Sequence, residues 1–245
     1  MRHGAGVSRA RPTSLSYGCQ MKSRVTYAIA ASIAWFGLAL GMVLTVFNVN
    51  PLTTIYPNSL GLNDDGIAGL IGRVVDSLSY FTNLSNLVVA VVLTMLARNS
   101  TRGGVAWHAV RMDSLVMISI TGLIYAVVLA PYAQVEGVDI VVNAIKHYIV
   151  PALTVVIWLI LGPRRQVTLG SIFTALVIPL AWAAYTLVRG VFIGAYPYGF
   201  VNVADFGLQS VLVNIAGIAA FGIVLGLIFW GLDWLISTVR RSPVQ

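Results

Sequence analysis

The chain has 245 residues, 58% of them hydrophobic and only 9% charged, with a mean hydropathy of +0.87. Soluble domains are about a quarter charged, so this composition excludes a soluble globular protein and leaves an integral membrane protein. A single cysteine, Cys19, rules out internal disulfides and cysteine-based metal sites, and the formal charge of +7 is spread as membrane topology requires rather than gathered into a nucleic-acid-binding patch.

Residues 1–24 hold Arg2, Arg9, Arg11, Lys22 and Arg24 without an acid and read as a disordered basic tail, within which Met21-Lys22-Ser23-Arg24 resembles a natural start. Six apolar runs follow at about 25–48, 73–98, 112–131, 140–162, 167–190 and 208–237, each near the roughly 20 residues that cross a bilayer. A loop rich in Pro, Asn, Asp and Gly (Pro51, Pro57, Asp64, Asp65) separates the first two. Lys146, His147 and Pro151 interrupt the fourth, and Pro179 predicts a kink in the fifth. Glycines four apart at Gly37/Gly41, Gly190/Gly194 and Gly222/Gly226 predict close helix packing. The expected class is all-α: a polytopic six-transmembrane-helix bundle over 25–240, in up-and-down order because its connections are short, with a tail at 241–245.

Basic residues orient the bundle. With the N-terminus inside, 12 of the 15 Lys and Arg fall on the cytoplasmic side, including Arg98, Arg102, Arg111, Arg164, Arg165, Arg240 and Arg241. Six of the eight acids fall outside, so both termini are expected to be cytoplasmic. Thirteen Arg against two Lys, with much Ala, Val and Gly, points to a GC-rich genome and hence to a bacterial cytoplasmic membrane. Only Arg73, Lys146 and Arg189 are basic residues on the outer side. Lys146 is explained equally well by snorkelling to the headgroups, whereas Arg189 continues a polar face through Trp182, Tyr185 and Thr186.

The second run is the least apolar. It contains Asp76, Ser77, Ser79, Thr82, Asn83, Ser85 and Asn86, and on one ideal helix Asp76, Ser79, Thr82, Asn83 and Asn86 share an arc of about 120°. Such a stripe must face protein or trapped water rather than lipid. No G-x-S-x-G elbow, H-E-x-x-H, P-loop or dinucleotide-binding glycine pattern occurs, and no cofactor is implied. Three histidines in separate regions (His3 in the tail, His108 in a cytoplasmic loop, His147 in a membrane run) argue against a histidine metal site.

On the residues alone, His147 and Thr82 admit two readings. Both can serve as interhelical hydrogen-bonding groups. Alternatively they form a nucleophile–base pair, because a threonine hydroxyl attacks only once a base such as neutral imidazole takes its proton. In that case Asn83, Asn86 or Arg189 is a candidate oxyanion donor, and Asp76 or Asp205 a candidate to orient the imidazole.

Ser79-Tyr-Phe-Thr-Asn-Leu-Ser-Asn86, His147-Tyr-Ile-Val-Pro151 with Trp158, and Tyr185-Thr-Leu-Val-Arg189-Gly190 with Tyr196-Pro-Tyr198 together resemble a bacterial family of six-helix membrane proteins. More distantly the chain is similar to the eukaryotic androgen-induced membrane proteins, threonine hydrolases of fatty-acid esters of hydroxy fatty acids. That resemblance implies Thr82 as nucleophile and His147 as its partner. The residues themselves make Asp76, Ser79, Asn83, Asn86, Tyr185, Arg189, Tyr196 and Asp205 the candidates for binding substrate or supporting that pair. A membrane lipid or lipid-like ester is then the expected partner. Two other classes stay open: a transporter or binding protein for an amphipathic or anionic small molecule, and a structural membrane subunit.

Overall fold

The structure, a computed structural model, describes residues 14–49 and 58–239. The parts of the tails at 1–13 and 240–245, with Arg240 and Arg241, and the stretch 50–57 with Pro51 and Pro57, lie outside the described residues. Among the described residues, six helical segments are long and apolar enough to cross a membrane.

The first is α1 (Ser14–Phe47), which begins well before the expected Val25, so the described part of the presumed tail is helix. Its small residues Ala30, Ala31 and Ala34 are buried beside Val89, Ala90 and Leu93 of α3 (Phe81–Arg98). Gly37 and Gly41 let Ile145 and Lys146 approach the α1 backbone, which is the close packing that their spacing predicts.

The second run is not one helix. It is α2 (Leu70–Ser79) and α3, separated by Tyr80 in an extended conformation (φ −72°, ψ 130°). The single-helix stripe is therefore wrong as geometry, and the break explains the polarity. A helix interrupted inside a membrane exposes carbonyls and amides that lipid cannot satisfy. Here Asn83 Nδ2 donates to Ser77 O at 2.6 Å, and Trp182 Nε1 donates to Ser79 O at 2.9 Å.

The third span starts at Val105 rather than 112, as α4 (Val105–Ile124), and continues through a π turn (Tyr125–Leu129) and a 3₁₀ turn (Ala130–Tyr132). His108 accordingly lies on a helix and not in a loop. The fourth is α5 (Asp139–Ala144), a π turn (Ile145–Ile149) and α6 (Val150–Leu161). Pro151 has no N–H for the His147 carbonyl four residues earlier, so the wide turn sits where the α-helical ladder loses a donor. Gly122 of α4 lies under this turn; a Cβ there would stand 3.3 Å from His147 O and 3.0 Å from Pro151 Cβ.

The fifth span is broken into α7 (Leu169–Thr174) and α8 (Val177–Ile193), with Pro179 in the first turn of α8, close to its predicted kink. The sixth is α9 (Val203–Val239), kinked at Gly207, whose φ of +74° suits glycine. The Gly222/Gly226 pair meets Leu176 and Ile172. Gly190/Gly194 is different from the other two pairs: Gly190 seats the Tyr196 ring, and Gly194 ends α8 in a left-handed conformation.

Hydrogen bonds sort the helix ends into two groups. At one end Arg24 Nε donates to Ala97 O (2.9 Å) and Tyr27 OH to Leu161 O (3.1 Å). Arg164 pairs with Asp233 at 3.7 Å, and Arg111 donates to Pro163 O and to the Gln166 side chain. At the other, Arg73 donates to Thr45 O and Val46 O at the end of α1 and to Asp64 O and Gly66 O of the following loop. Asn58 there donates to Asp205.

Candidate active site

Thr82 and His147, 65 residues apart in sequence, meet: Thr82 Oγ1 lies 3.2 Å from His147 Nε2. Thr82 is the second residue of α3, so the break at Tyr80 places its hydroxyl at a helix N-terminus, where the backbone dipole favours negative charge. The Thr82 backbone is fixed on both sides. Its N–H donates to the Tyr198 hydroxyl at 3.2 Å, and its carbonyl accepts from Ser85 Oγ (3.0 Å) and Asn86 Nδ2 (2.8 Å).

His147 sits in the π turn. Its Nδ1 lies 2.7 Å from Asn143 Oδ1, one helical turn earlier, and its ring stacks on Tyr125 with centroids 3.7 Å apart. An amide oxygen only accepts, so Nδ1 carries the proton and Nε2 is left with a lone pair aimed at Thr82. Neither carboxylate expected to orient the ring does so. Asp76 is held by Arg189 and accepts from Asn63 Nδ2 (2.7 Å) and Gly61 N–H (3.2 Å). Asp205 is exposed and accepts from Asn58 (2.9 Å) and Asn202 (2.7 Å). Both carboxylates brace loops.

The expected oxyanion donors are also engaged. Asn83 donates to Ser77 and accepts from Lys146 Nζ at 2.7 Å. That contact buries Lys146, at 8% exposure, and removes the snorkelling alternative. Asn86 Nδ2 is shared between Thr82 O and Lys146 O, and Arg189 is paired with Asp76. Ser79 donates to Val75 O and lies 2.9 Å from the Tyr185 hydroxyl, which ties α8 to the break. Tyr196 is buried against Gly190, and its backbone pairs with Asn58 and Leu60. It anchors a loop; Tyr198, two residues on, is the one that reaches Thr82.

Thr82 opens on a cavity of about 70 Å³ between α3, α4, α8 and α9. Thr82, Thr121, Tyr125 and Tyr198 line it among otherwise largely apolar residues, Phe81, Ile120, Ile124, Leu176, Leu180, Ala183, Ile218 and Ala219. Leu180 on its rim is 46% exposed, on a face that lipid would cover. Ser85 and Thr121, 2.7 Å apart, close the seam between α3 and α4 beside it. Among the described residues no group of three His, Cys, Asp or Glu is placed to hold a metal ion.

Asn143, Tyr125 and Tyr198 were not among the expected site residues. The spacing of Asn143 to His147, four residues on a helix, is a sequence signal for the first. Tyr198 stands in the Tyr196-Pro-Tyr198 motif, but nothing in the sequence chooses between its two tyrosines. Compared with models of protein families, with curated proteins and with solved structures, the chain matches none.

Proposed function

We propose that this protein is an intramembrane hydrolase of lipid (fatty-acyl) esters, with Thr82 as nucleophile and His147 as general base and acid. The observation that carries the reading is the 3.2 Å contact between Thr82 Oγ1 and His147 Nε2, with the other ring nitrogen fixed by Asn143. Nucleophile, base and orienting group stand in the order that acyl transfer requires, and an amide can fill the third place. The largely apolar lining of the cavity at Thr82 is compatible with the carbonyl-proximal methylenes of an acyl chain and offers no charged group to a polar substrate. The resemblance to membrane threonine hydrolases points the same way.

In the first half-reaction Thr82 Oγ1 bonds to the acyl carbon and its proton passes to Nε2. The ester C–O bond breaks, and the leaving alcohol takes that proton. Water then attacks the acyl-threonine, gives a proton to Nε2, and Thr82 leaves with it. The asymmetry of Lys and Arg supports a cytoplasmic location for both termini and a site in the outer half of the membrane, and the Arg-rich composition supports a bacterial cytoplasmic membrane. Arg189, on which an anion-binding or transport reading would lean, is occupied by Asp76.

The test is covalent. Purified protein treated with an alkyl fluorophosphonate should be labelled, and Thr82→Ala should remove the label while the melting temperature stays within a few degrees. Folded wild-type protein that takes no label would overturn the assignment.

A further inference from the structure

The hydrogens around Thr82 can be assigned one at a time. Nε2 of His147 accepts, because Nδ1 carries the ring proton toward Asn143. Thr82 has one hydroxyl hydrogen, and Nε2 takes it. Toward the Tyr198 hydroxyl, 3.3 Å away, Thr82 Oγ1 can therefore only accept. The Tyr198 oxygen already accepts the Thr82 N–H at 3.2 Å, so its own single hydrogen points to Thr82 Oγ1. The result is a directional chain from Tyr198 through Thr82 and His147 to Asn143.

We propose that Tyr198 is a further catalytic residue of this site, and that its O–H is the donor that stabilises the oxyanion when Thr82 attacks an ester. This rests on the threonine-hydrolase reading and adds the group that reading lacks. Before attack the Tyr198 hydrogen rests on Thr82 Oγ1. As Oγ1 bonds to the acyl carbon, the carbonyl electron pair moves to oxygen and the Thr82 proton moves to Nε2. The Tyr198 hydrogen then turns to the new oxyanion without leaving the phenol. When the intermediate collapses, the pair returns to the carbonyl and the alkoxide leaves with the proton on Nε2. The interaction with the oxyanion exists only along the reaction path, so it lowers the barrier rather than tightening substrate binding.

Four further observations support the assignment. The α3 amide that donates to the phenol polarises it, and a hydroxyl that accepts a hydrogen bond donates a stronger one. Burial raises the Tyr198 pKa, which hydrogen bonds from Thr82 and the Phe81 backbone lower only in part, so the phenol stays protonated at neutral pH. The ring is held in place: Phe200 stacks on it at 5.2 Å, Tyr80 meets its edge at 5.5 Å, and the Tyr196 backbone pairs with Asn58 and Leu60. Of the alternative donors, the Asn83 and Asn86 amides serve other partners and Arg189 is paired with Asp76.

The test is Tyr198→Phe in purified full-length protein, assayed on a p-nitrophenyl alkanoate and for its rate of fluorophosphonate labelling. The expected result is a fall in kcat of about 10²–10³ with KM changed by less than about threefold, and labelling at Thr82 slowed by a similar factor. A kcat within about threefold of wild type, with labelling at Thr82 intact, overturns the role of Tyr198 and leaves the Thr82 reading standing. Wild-type protein without turnover or label overturns both. If Tyr198→Phe does not fold, difluorotyrosine at position 198 keeps the ring and the hydroxyl but lowers the phenol pKa. The alkaline limb of kcat should then move to lower pH, and an unmoved limb overturns the proposal.

Discussion

Two regions of the bundle bury charged and polar groups, and they use them differently. At the Arg164/Asp233 end, Arg164 covers Trp158 and donates to the carbonyls of Trp158 and Leu159, while Asp233 accepts the Arg165 N–H at 2.8 Å. Arg111 secures the α6–α7 turn through Pro163 O. These contacts close helix ends, and none of the residues lines the cavity. Around Tyr80 a larger set of polar side chains also satisfies backbone groups, but one hydroxyl differs. Thr82 Oγ1 contacts an imidazole and a phenol, and Thr82 lines a largely apolar cavity. The lesson is that polarity in a membrane helix is not itself a sign of chemistry. What sets Thr82 apart is a hydroxyl that meets an imidazole and a phenol, on a residue that lines a cavity, and on that difference the proposed chemistry rests.

The sharpest way to break that comparison is to mutate one residue from each region. His147→Gln should lower ester turnover by about 10²–10⁴ while leaving the melting temperature nearly unchanged, because imidazole serves the hydroxyl and caps no backbone group. Asp233→Ala should do the reverse: unfolding at lower temperature, with the kcat of the folded fraction preserved. If Asp233→Ala instead removes activity from folded protein, the division between the two regions fails.

Asp76→Ala divides the region around Tyr80 internally. It leaves the partly buried Arg189 guanidinium without its anion, and removing one member of such a pair costs about 3–5 kcal/mol. Thermal unfolding should register that loss, and fluorophosphonate labelling of the surviving folded protein should persist. Loss of labelling without loss of stability would give Asp76 a place in the chemistry.

Asn143→Ala should have a smaller kinetic effect, a fall in kcat of about 10–10², since stacking on Tyr125 still holds the ring while the tautomer is no longer fixed. Asn143→Asp should retain more activity than Asn143→Ala, because a carboxylate also accepts from Nδ1. Equal losses in the two variants would separate Asn143 from the tautomer. The smallest expected change is one of selectivity. Ala219→Phe narrows the cavity and should shift preference toward shorter acyl chains by about tenfold in kcat/KM, read from a series of p-nitrophenyl esters.

Much of the architecture was legible in the chain because it follows from length and hydropathy: six apolar runs give six membrane-length helices. The meeting of Thr82 and His147 was foreseen through motif resemblance, whereas periodicity on a single helix could not have produced it, since Tyr80 breaks that helix. A break without proline or glycine leaves no local signature. It is held by Asn83 and by Trp182, a residue roughly one hundred positions away, and such partners appear only in three dimensions. The same limit hides the partners of Asp76, Asp205 and Tyr196. Composition shows that they are polar or aromatic residues, but not that Arg189, Asn58 and Gly190 already occupy them.

The most direct measurement is the mass of the Thr82 peptide from protein acid-quenched during turnover of a p-nitrophenyl alkanoate. The account predicts a fraction of that peptide heavier by one acyl group, with the adduct absent from Thr82→Ala and reduced in His147→Gln. Turnover that proceeds in wild type with Thr82 never acylated, and that survives in folded Thr82→Ala, would contradict it.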